Sequence, residues 1–160
     1  MGEDRYQRIY RCGAELYEAL VACEDCDGNL GSALAADLHG DVVEFGAGTG
    51  RLTRLLVPQA RSIRAFDASP AMLAVARRTL GPDVRLAAAL NHALPVRSGS
   101  ADLALAGWSF GHATGWNPGG WRDEIDRCLA EMRRVLRPGG RAVVIETLGT
   151  GRTEPAPPSS

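Results

Sequence analysis

The sequence predicts an α/β fold: a doubly wound, Rossmann-like parallel sheet of about five strands with helices on both faces. Three observations carry this. From residue 42 onward, short β-branched or small apolar runs alternate with segments of helical spacing. The first run, Val42-Val43-Glu44-Phe45, stops at a glycine cluster, as a buried parallel strand does. The chain has 160 residues, 45% hydrophobic and 23% charged, which suits one globular domain with a real core.

Residues 4–22 place Ile9, Gly13, Leu16, Leu20 and Val21 at helical spacing and predict one amphipathic helix. CEDCDGN is a polar break. Leu30, Ala33, Leu34 and Leu38 predict a second helix, capped by Asn29. Residues 1–40 therefore read as a helical cap on an α/β core over 41–150. After Gly50, Leu52, Leu55 and Leu56 begin a helix that ends before Pro58. Ser62–Phe66 is the second strand. Ser69-Pro70 is a helix start in the preferred order, N-cap then proline, and Gly81-Pro82 is its stop.

Val84–Ala88 is the third strand and Ala101–Gly107 the fourth. Between them Asn91–Gly99 is loop. Gly107–Gly120 is glycine-rich and reads as a functional loop. Trp121, Ile125, Cys128, Leu129, Met132, Val135 and Leu136 mark a four-turn helix, with Arg133, Arg134 and Arg137 complementing its dipole. Pro138-Gly139-Gly140 breaks it, and Arg141–Leu148 is the fifth strand. The Pro/Ser-rich tail, residues 151–160, is expected to be disordered. The sequence contains no internal repeat.

Composition narrows the chemistry. With 18 basic and 19 acidic residues the net charge is −1, which gives no broad pull toward nucleic acid or anionic membrane. Every basic residue is Arg, so catalytic-lysine chemistry is excluded. Cys23 and Cys26 form a lone C-x-x-C. It lacks a second pair, His39, His92 and His112 are scattered, and Glu24, Asp25 and Asp27 raise thiol pKa. These cysteines read as incidental thiols, and no metal site is expected. No apolar run approaches the ~20 residues of a membrane span. The first ten residues lack the apolar region of a signal peptide. The expectation is a cytoplasmic protein without membrane partners.

Glu44-Phe45-Gly46-Ala47-Gly48-Thr49-Gly50 is the central motif. Its glycines allow a sharp turn and close backbone approach to a ligand, with N–H groups facing it at the helix start. The spacing is G-x-G-x-G, and Arg51 stands where a dinucleotide fingerprint has its third glycine. Glu44, two residues before the first glycine, suits an ammonium-bearing ligand better than a pyrophosphate. Asp67 closes the second strand, 17 residues after Gly50, where a carboxylate can take both ribose hydroxyls. The alternative for Asp67 is a cap on the helix that starts at Ser69-Pro70.

VVEFGAGTGRLT, AFDASPAMLAVARR, NHALPVRSGSADLALAGWS and RVLRPGGRAVVIE, in this order over residues 42–148, resemble the successive motifs of class I S-adenosylmethionine-dependent methyltransferases. The resemblance implies S-adenosyl-L-methionine as cofactor. It implies that Glu44, Gly46 and Gly48, with Ala47 and Gly50 in the same loop, line the methionine moiety. Asp67 would hold the ribose, and Ala68 and Met72 would pack on the adenine. Asn91 and His92 would reach the adenine edge, and Trp108 and Ser109 would lie near the methionine end. Two departures stand out. Leu90 occupies a place where the family often has an acidic residue, so adenine recognition must rest on backbone atoms or on Asn91. The family sheet normally continues past strand five with a helix and an antiparallel strand pair, and here a proline-rich tail follows instead.

Methyl transfer from a sulfonium needs in-line placement and sometimes proton removal. His112, in the loop after strand four, is the candidate general base; a purely structural role is the alternative. Trp108, Trp116 and Trp121 are candidates for an apolar wall, with core packing the alternative for Trp121. Tyr10 and Tyr17 would form a lid over the cofactor, and Tyr17 is placed in the site. The sequence has no basic stripe and no Asn/Asp-Pro-Pro-aromatic motif after strand four, so a small organic acceptor is favoured over nucleic acid. Two other readings are a cofactor-binding subunit that is catalytically impaired or partner-dependent, and an NAD-binding oxidoreductase, which the glycine spacing disfavours. A fifth strand with an uncovered edge would invite a homodimer through that edge, or mark a truncation of modest stability.

Overall fold

A computed structural model describes residues 5–21, 28–35 and 40–147. Cys23, Cys26, His39, Leu38 and the Pro/Ser-rich tail lie outside the described residues. Two short helices, α1 (Arg5–Cys12) and α2 (Ala14–Val21), stand where one was expected. They meet at Gly13, the residue whose backbone gives a helix interior least support. Helical bonding still crosses the joint, from Gly13 N–H to the Ile9 carbonyl and from Tyr17 N–H to the Gly13 carbonyl (2.9 Å each).

The buried face of this pair is also shifted from the expected one. Ala14 and Val21 are buried, with Tyr10 and Tyr17 half-buried beside them, whereas Leu16 and Leu20 are 68% and 66% exposed and Ile9 is exposed too. The sets 9/13/16/20 and 10/14/17/21 have the same helical period. The aromatic set wins because each tyrosine buries more area and carries a hydroxyl that finds a partner. Ala14 packs on Met72 and Val75, with Tyr10 and Tyr17 at the margin.

Helix α3 (Asn29–Ala35) begins one residue earlier than its expected cap allows. Asn29 is already helical, and the Gly28 carbonyl takes the first bonds, from Ser32 N–H (3.0 Å) and Ser32 Oγ (2.8 Å). The sheet consists of β1 (Asp41–Phe45), β2 (Ser62–Asp67), β3 (Val84–Ala88), β4 (Ala101–Gly107) and β5 (Leu136–Ile145). Its order is β3-β2-β1-β4-β5 and all four pairings are parallel. The order reverses between β1 and β4, the switch point where such sheets open a crevice at their carboxyl ends.

Both faces of the sheet are covered, and strand periodicity sorts the side chains. Phe45, Phe66, Ala104 and Ala106 face one way, against Cys128, Met132 and Val135 of α7 (Trp121–Val135). Val42, Ile63, Leu103 and Leu105 face the other, against Leu52 and Leu56 of α4 (Arg51–Leu56) and Leu34 of α3. The expected stripe on α7 holds at Cys128, Met132 and Val135, while Leu129 is exposed. Helix α5 (Pro70–Thr79) starts as expected, with Ser69 Oγ accepting from Met72 N–H and Pro70 in the first turn. The short α6 (His112–Trp116) lies in the glycine-rich segment after β4.

Strand β5 starts earlier than expected. Leu136, expected to end the helical stripe, pairs with Ala101, and Arg141 pairs with Leu103. Pro138-Gly139-Gly140 is therefore a bulge within the strand and not a break before it. It brings Arg137 to the amino ends of the strands, where it joins a charge network. Asp41 accepts from Arg61 Nη2 (2.5 Å), Arg137 Nη2 (2.8 Å) and Ser62 Oγ (2.7 Å). Asp102 pairs with Arg137 Nη1 (2.7 Å) and accepts from Asp41 N–H (2.8 Å).

At the other end, the chain leaves β1 through Gly46, at φ +70. A Cβ there would lie 2.3 Å from Ser109 Cβ, so this loop packs on the segment after β4 without room for a side chain. Gly46→Ala is expected to cost about 2–4 kcal/mol, from the left-handed backbone and the overpacking together. That is a loss of roughly 5–15 °C in Tm. A thermal melt unchanged from wild type would contradict this geometry.

The Arg61 hydrogen bond, with Arg137 and Ser62, holds the Asp41 carboxyl well below its ordinary 3.8. A carboxylate with a depressed native pKa contributes stability above its unfolded value and loses it as pH falls toward the native one. Asp41→Asn is therefore expected to lower stability at neutral pH and to flatten its decline below about pH 4. Urea unfolding at stepped pH checks this; parallel curves for the two proteins would refute it.

Candidate active site

A cavity of about 1310 Å³ opens at the carboxyl ends of β1, β2 and β4. Sites for one small ligand run to about 300–1000 Å³, so there is room here for two. Glu44, the penultimate residue of β1, is 2% exposed, and Thr53 Oγ1 donates to its Oε2 at 2.6 Å. Burial pushes its carboxyl up to about 7, the Thr53 bond opposes this, and the nearby Asp67 charge adds to it. A buried carboxylate with so little compensation is a site where a cationic group would be stabilised.

Asp67 ends β2. Its Oδ2 accepts from Gly48 N–H (2.8 Å) and its Oδ1 from Ser69 N–H (2.7 Å). The side chain thus holds Ser69, the N-cap residue of α5, and also lines the cavity. Burial raises its pKa against those two bonds. Each carboxylate oxygen keeps a free lone pair, the acceptor pattern that a vicinal diol requires.

Beyond β3, Ala93 N–H bonds the Leu90 carbonyl (2.9 Å) and closes a tight turn with Asn91 and His92 at its tip. Leu90, Asn91 and His92 all line the cavity. After β4, Trp108 has φ +50, an unusual conformation for a bulky residue that the surroundings must hold. Its N–H bonds the Ile145 carbonyl (2.7 Å), its Nε1 donates to Thr147 Oγ1 (3.0 Å), and the Arg51 guanidinium lies 3.6 Å over the ring. Ser109 Oγ donates to the Phe45 carbonyl (3.1 Å). Glu146 Oε1 accepts from both Phe110 N–H and Gly111 N–H (3.0 Å each) and fixes the start of the loop that carries His112.

His112 stacks on Trp116, with centroids 4.8 Å apart and planes at 12°. Tyr10 meets both rings edge-on. The Tyr10 hydroxyl lies 2.7 Å from His112 Nε2. Burial lowers the His112 pKa and raises the Tyr10 pKa, so the phenol donates and the neutral imidazole accepts. The Tyr10 carbonyl also accepts from Ser69 Oγ (2.5 Å). Helix α1 is thereby tied to both walls of the cavity, at Ser69 and at His112.

Of the sequence-predicted residues, Tyr17, Glu44, Gly46, Ala47, Gly48, Asp67, Ala68, Asn91, His92, Trp108, Ser109 and His112 line this cavity. Two do not. Gly50 caps α4 at φ +92 and packs against Leu80. Met72 is fully buried between Ala14 and Val75, and Ser69, Pro70 and Ala71 hold the wall in its place. Trp116 is on the wall. Trp121 is not, and stacks under Arg122 (4.1 Å). Cys128 also lines the cavity, its thiol pushed up to about 11 by burial, so it is a neutral apolar contact there.

Sequence reasoning did not assign Arg51 to the site or Glu146 to the support of its loop, and it named Tyr10 only as part of a lid. Glu146 had a usable signal. It is a lone carboxylate just past the carboxyl end of a strand, as Asp67 is at the end of its own.

A family model described as a methyltransferase domain matches residues 43–144. An uncharacterized methyltransferase of Mycobacterium bovis is 38% identical over 100 residues, which cover 62% of this chain and 37% of the relative. A demethylmenaquinone methyltransferase of Thermus thermophilus is 34% identical over 110 residues, covering 66% of this chain and 46% of the relative. The chain thus spans less than half the length of these curated relatives. Among solved structures, a DhpI–SAH complex superposes with a TM-score of 0.74 at 26% identity, over 88% of this chain and 66% of that one. With the family model matching well over half the chain, and with a glycine loop, a β1 carboxylate and a β2 carboxylate converging on one cavity, this chain belongs to the class I S-adenosylmethionine-dependent methyltransferase family.

Proposed function

We propose that this chain transfers the methyl group of S-adenosyl-L-methionine to a small organic acceptor bound beside His112. One observation carries the reading: the two buried carboxylates and the Tyr10–His112 pair line a single cavity with room for two ligands. The residues fit the cofactor. Glu44 would pair with the ammonium of its methionine end, and Asp67 would accept from its ribose hydroxyls. The turn at Asn91-His92 would meet the adenine. When bound, the cofactor supplies an electrophilic methyl carbon, so the protein's part is placement and proton handling.

The acceptor wall would be largely aromatic and apolar, from Phe110, Trp116, Ile125 and Cys128, with Glu124 as a carboxylate on it. His112 is the general base in this reading. Its Nε2 already accepts one hydroxyl proton, that of Tyr10, and an acceptor hydroxyl or amine that displaces Tyr10 would take the same bond.

Pairing a cation with Glu44 requires the ionised carboxylate. With the free carboxyl near 7, affinity for SAH is expected to be about tenfold weaker at pH 6 than at pH 8. Glu44→Gln should bind weakly at both values. Calorimetric titration measures this, and a flat pH profile in the wild type would remove Glu44 from ammonium recognition. His112→Ala is expected to lower kcat roughly a hundredfold or more, with SAH affinity within about twofold of wild type. The assay is SAH release across a panel of phenols, carboxylic acids and amines. Full turnover by His112→Ala would exclude the general-base role. Binding without turnover in the wild type would favour a cofactor-binding subunit instead.

A further inference from the structure

We propose that Glu131 and Arg134 of α7 are positioning residues for the nucleoside end of the cofactor: they set the turn at Asn91-His92 against the adenine ring. The inference rests on the reading of this cavity as the cofactor site.

The turn is held from both sides. At its entry, Ala89 N–H bonds the Asp67 carbonyl (3.1 Å). At its exit, two residues past the tip, Leu94 N–H donates to Glu131 Oε1 (2.7 Å) in a buried bond. Glu131 is only 8% exposed, unusual for a glutamate on a helix. Arg134 explains how it is tolerated. Its Nε and Nη2 grip both Glu131 oxygens (2.7 Å each) in a forked pair. The same guanidinium donates to the Val96 carbonyl (2.7 Å), the Leu94 carbonyl (3.2 Å) and Ser98 Oγ (3.1 Å). One carboxylate and one guanidinium thus occupy the backbone groups of the strand-less segment that follows the turn.

This pairing keeps the Glu131 carboxyl below its ordinary value, and the bond from Leu94 and the proximity of His92 act in the same direction. Leu90, at the turn's first position, is 54% exposed and offers no polar side chain to the purine. Reading of the adenine edge then falls to the turn's backbone and to Asn91, and backbone groups discriminate only where they are held in place. Glu131 and Arg134 supply that constraint without touching the ligand.

The test compares SAH with its 6-oxopurine analogue, S-inosylhomocysteine, by calorimetry. The proteins are wild type, Glu131→Gln, Arg134→Lys and Arg134→Ala. Wild type is expected to prefer SAH. Arg134→Ala is expected to weaken SAH binding roughly tenfold and to bring the preference close to one, with kcat at saturating cofactor within about twofold. Arg134→Lys should recover part of the loss, and Glu131→Gln should fall between. A purely structural role would lower Tm and the bindable fraction while leaving the purine preference of the folded protein intact, and that result overturns the proposal. If Arg134→Ala does not fold, the other two variants carry the test. A wild type that binds no SAH overturns the cofactor reading and this proposal with it. A wild type that binds SAH with no purine preference, or variants that keep the preference, overturn this proposal alone.

Discussion

The Asp67 carboxylate is the point on which the site depends. It ends β2, the strand beside the central β1, and its two oxygens take one N–H from the glycine loop and one from the segment leading into α5. Its own carbonyl receives Ala89 N–H, and the neighbouring Phe66 carbonyl receives Ala47 N–H. Three chain segments that leave the sheet at different strands are therefore indexed to two adjacent residues. Removing the carboxylate would leave two part-buried N–H groups unmatched and take an acceptor from the cavity wall, so the loop architecture and the chemistry of the wall meet at this position.

The parts legible in the sequence were those governed by local rules. A glycine run after a β-branched strand, a Ser-Pro helix start and period-two alternation each constrain the backbone within a few residues. The five strands and the β1 and β2 carboxylates followed from them. What was misread depended on contacts between distant segments. Helical spacing fixes a period but not a phase, so Ile9, Leu16 and Leu20 looked as buriable as Tyr10, Ala14 and Tyr17 until α5 was in place. Pro138-Gly139-Gly140 read as a stop, because nothing nearby reveals that Leu136 already pairs with Ala101. Arg134 read as a dipole complement, yet its bonds run to residues 36 to 40 positions away.

The His112 side of the cavity is assembled differently from the side that carries Glu44 and Asp67. Trp108 is held at positive φ by β5, by Thr147 and by Arg51, and the loop after it hangs on Glu146. These supports come from the last strand and from α4, while Tyr10 arrives from the first helix. The glycine loop, Asp67 and the Asn91-His92 turn come from consecutive β-α connections, whereas the His112 side of the cavity is supported from both ends of the chain. The His112 side of the cavity can thus be altered through α1, α6 or the Glu146 region with the glycine loop untouched.

The bulge in β5 has a consequence for how such change is borne. By carrying Arg137 to the amino ends of the strands, it lets Asp41 and Asp102 be neutralised about 15 Å, one strand length, from the cavity. Carboxylates held below their ordinary values by hydrogen bonds from arginine and backbone N–H groups then belong to the scaffold, and the carboxyl that burial pushes up belongs to the cavity. Loops at the carboxyl end are free to drift toward new ligands while the charge lock at the amino end keeps the sheet closed.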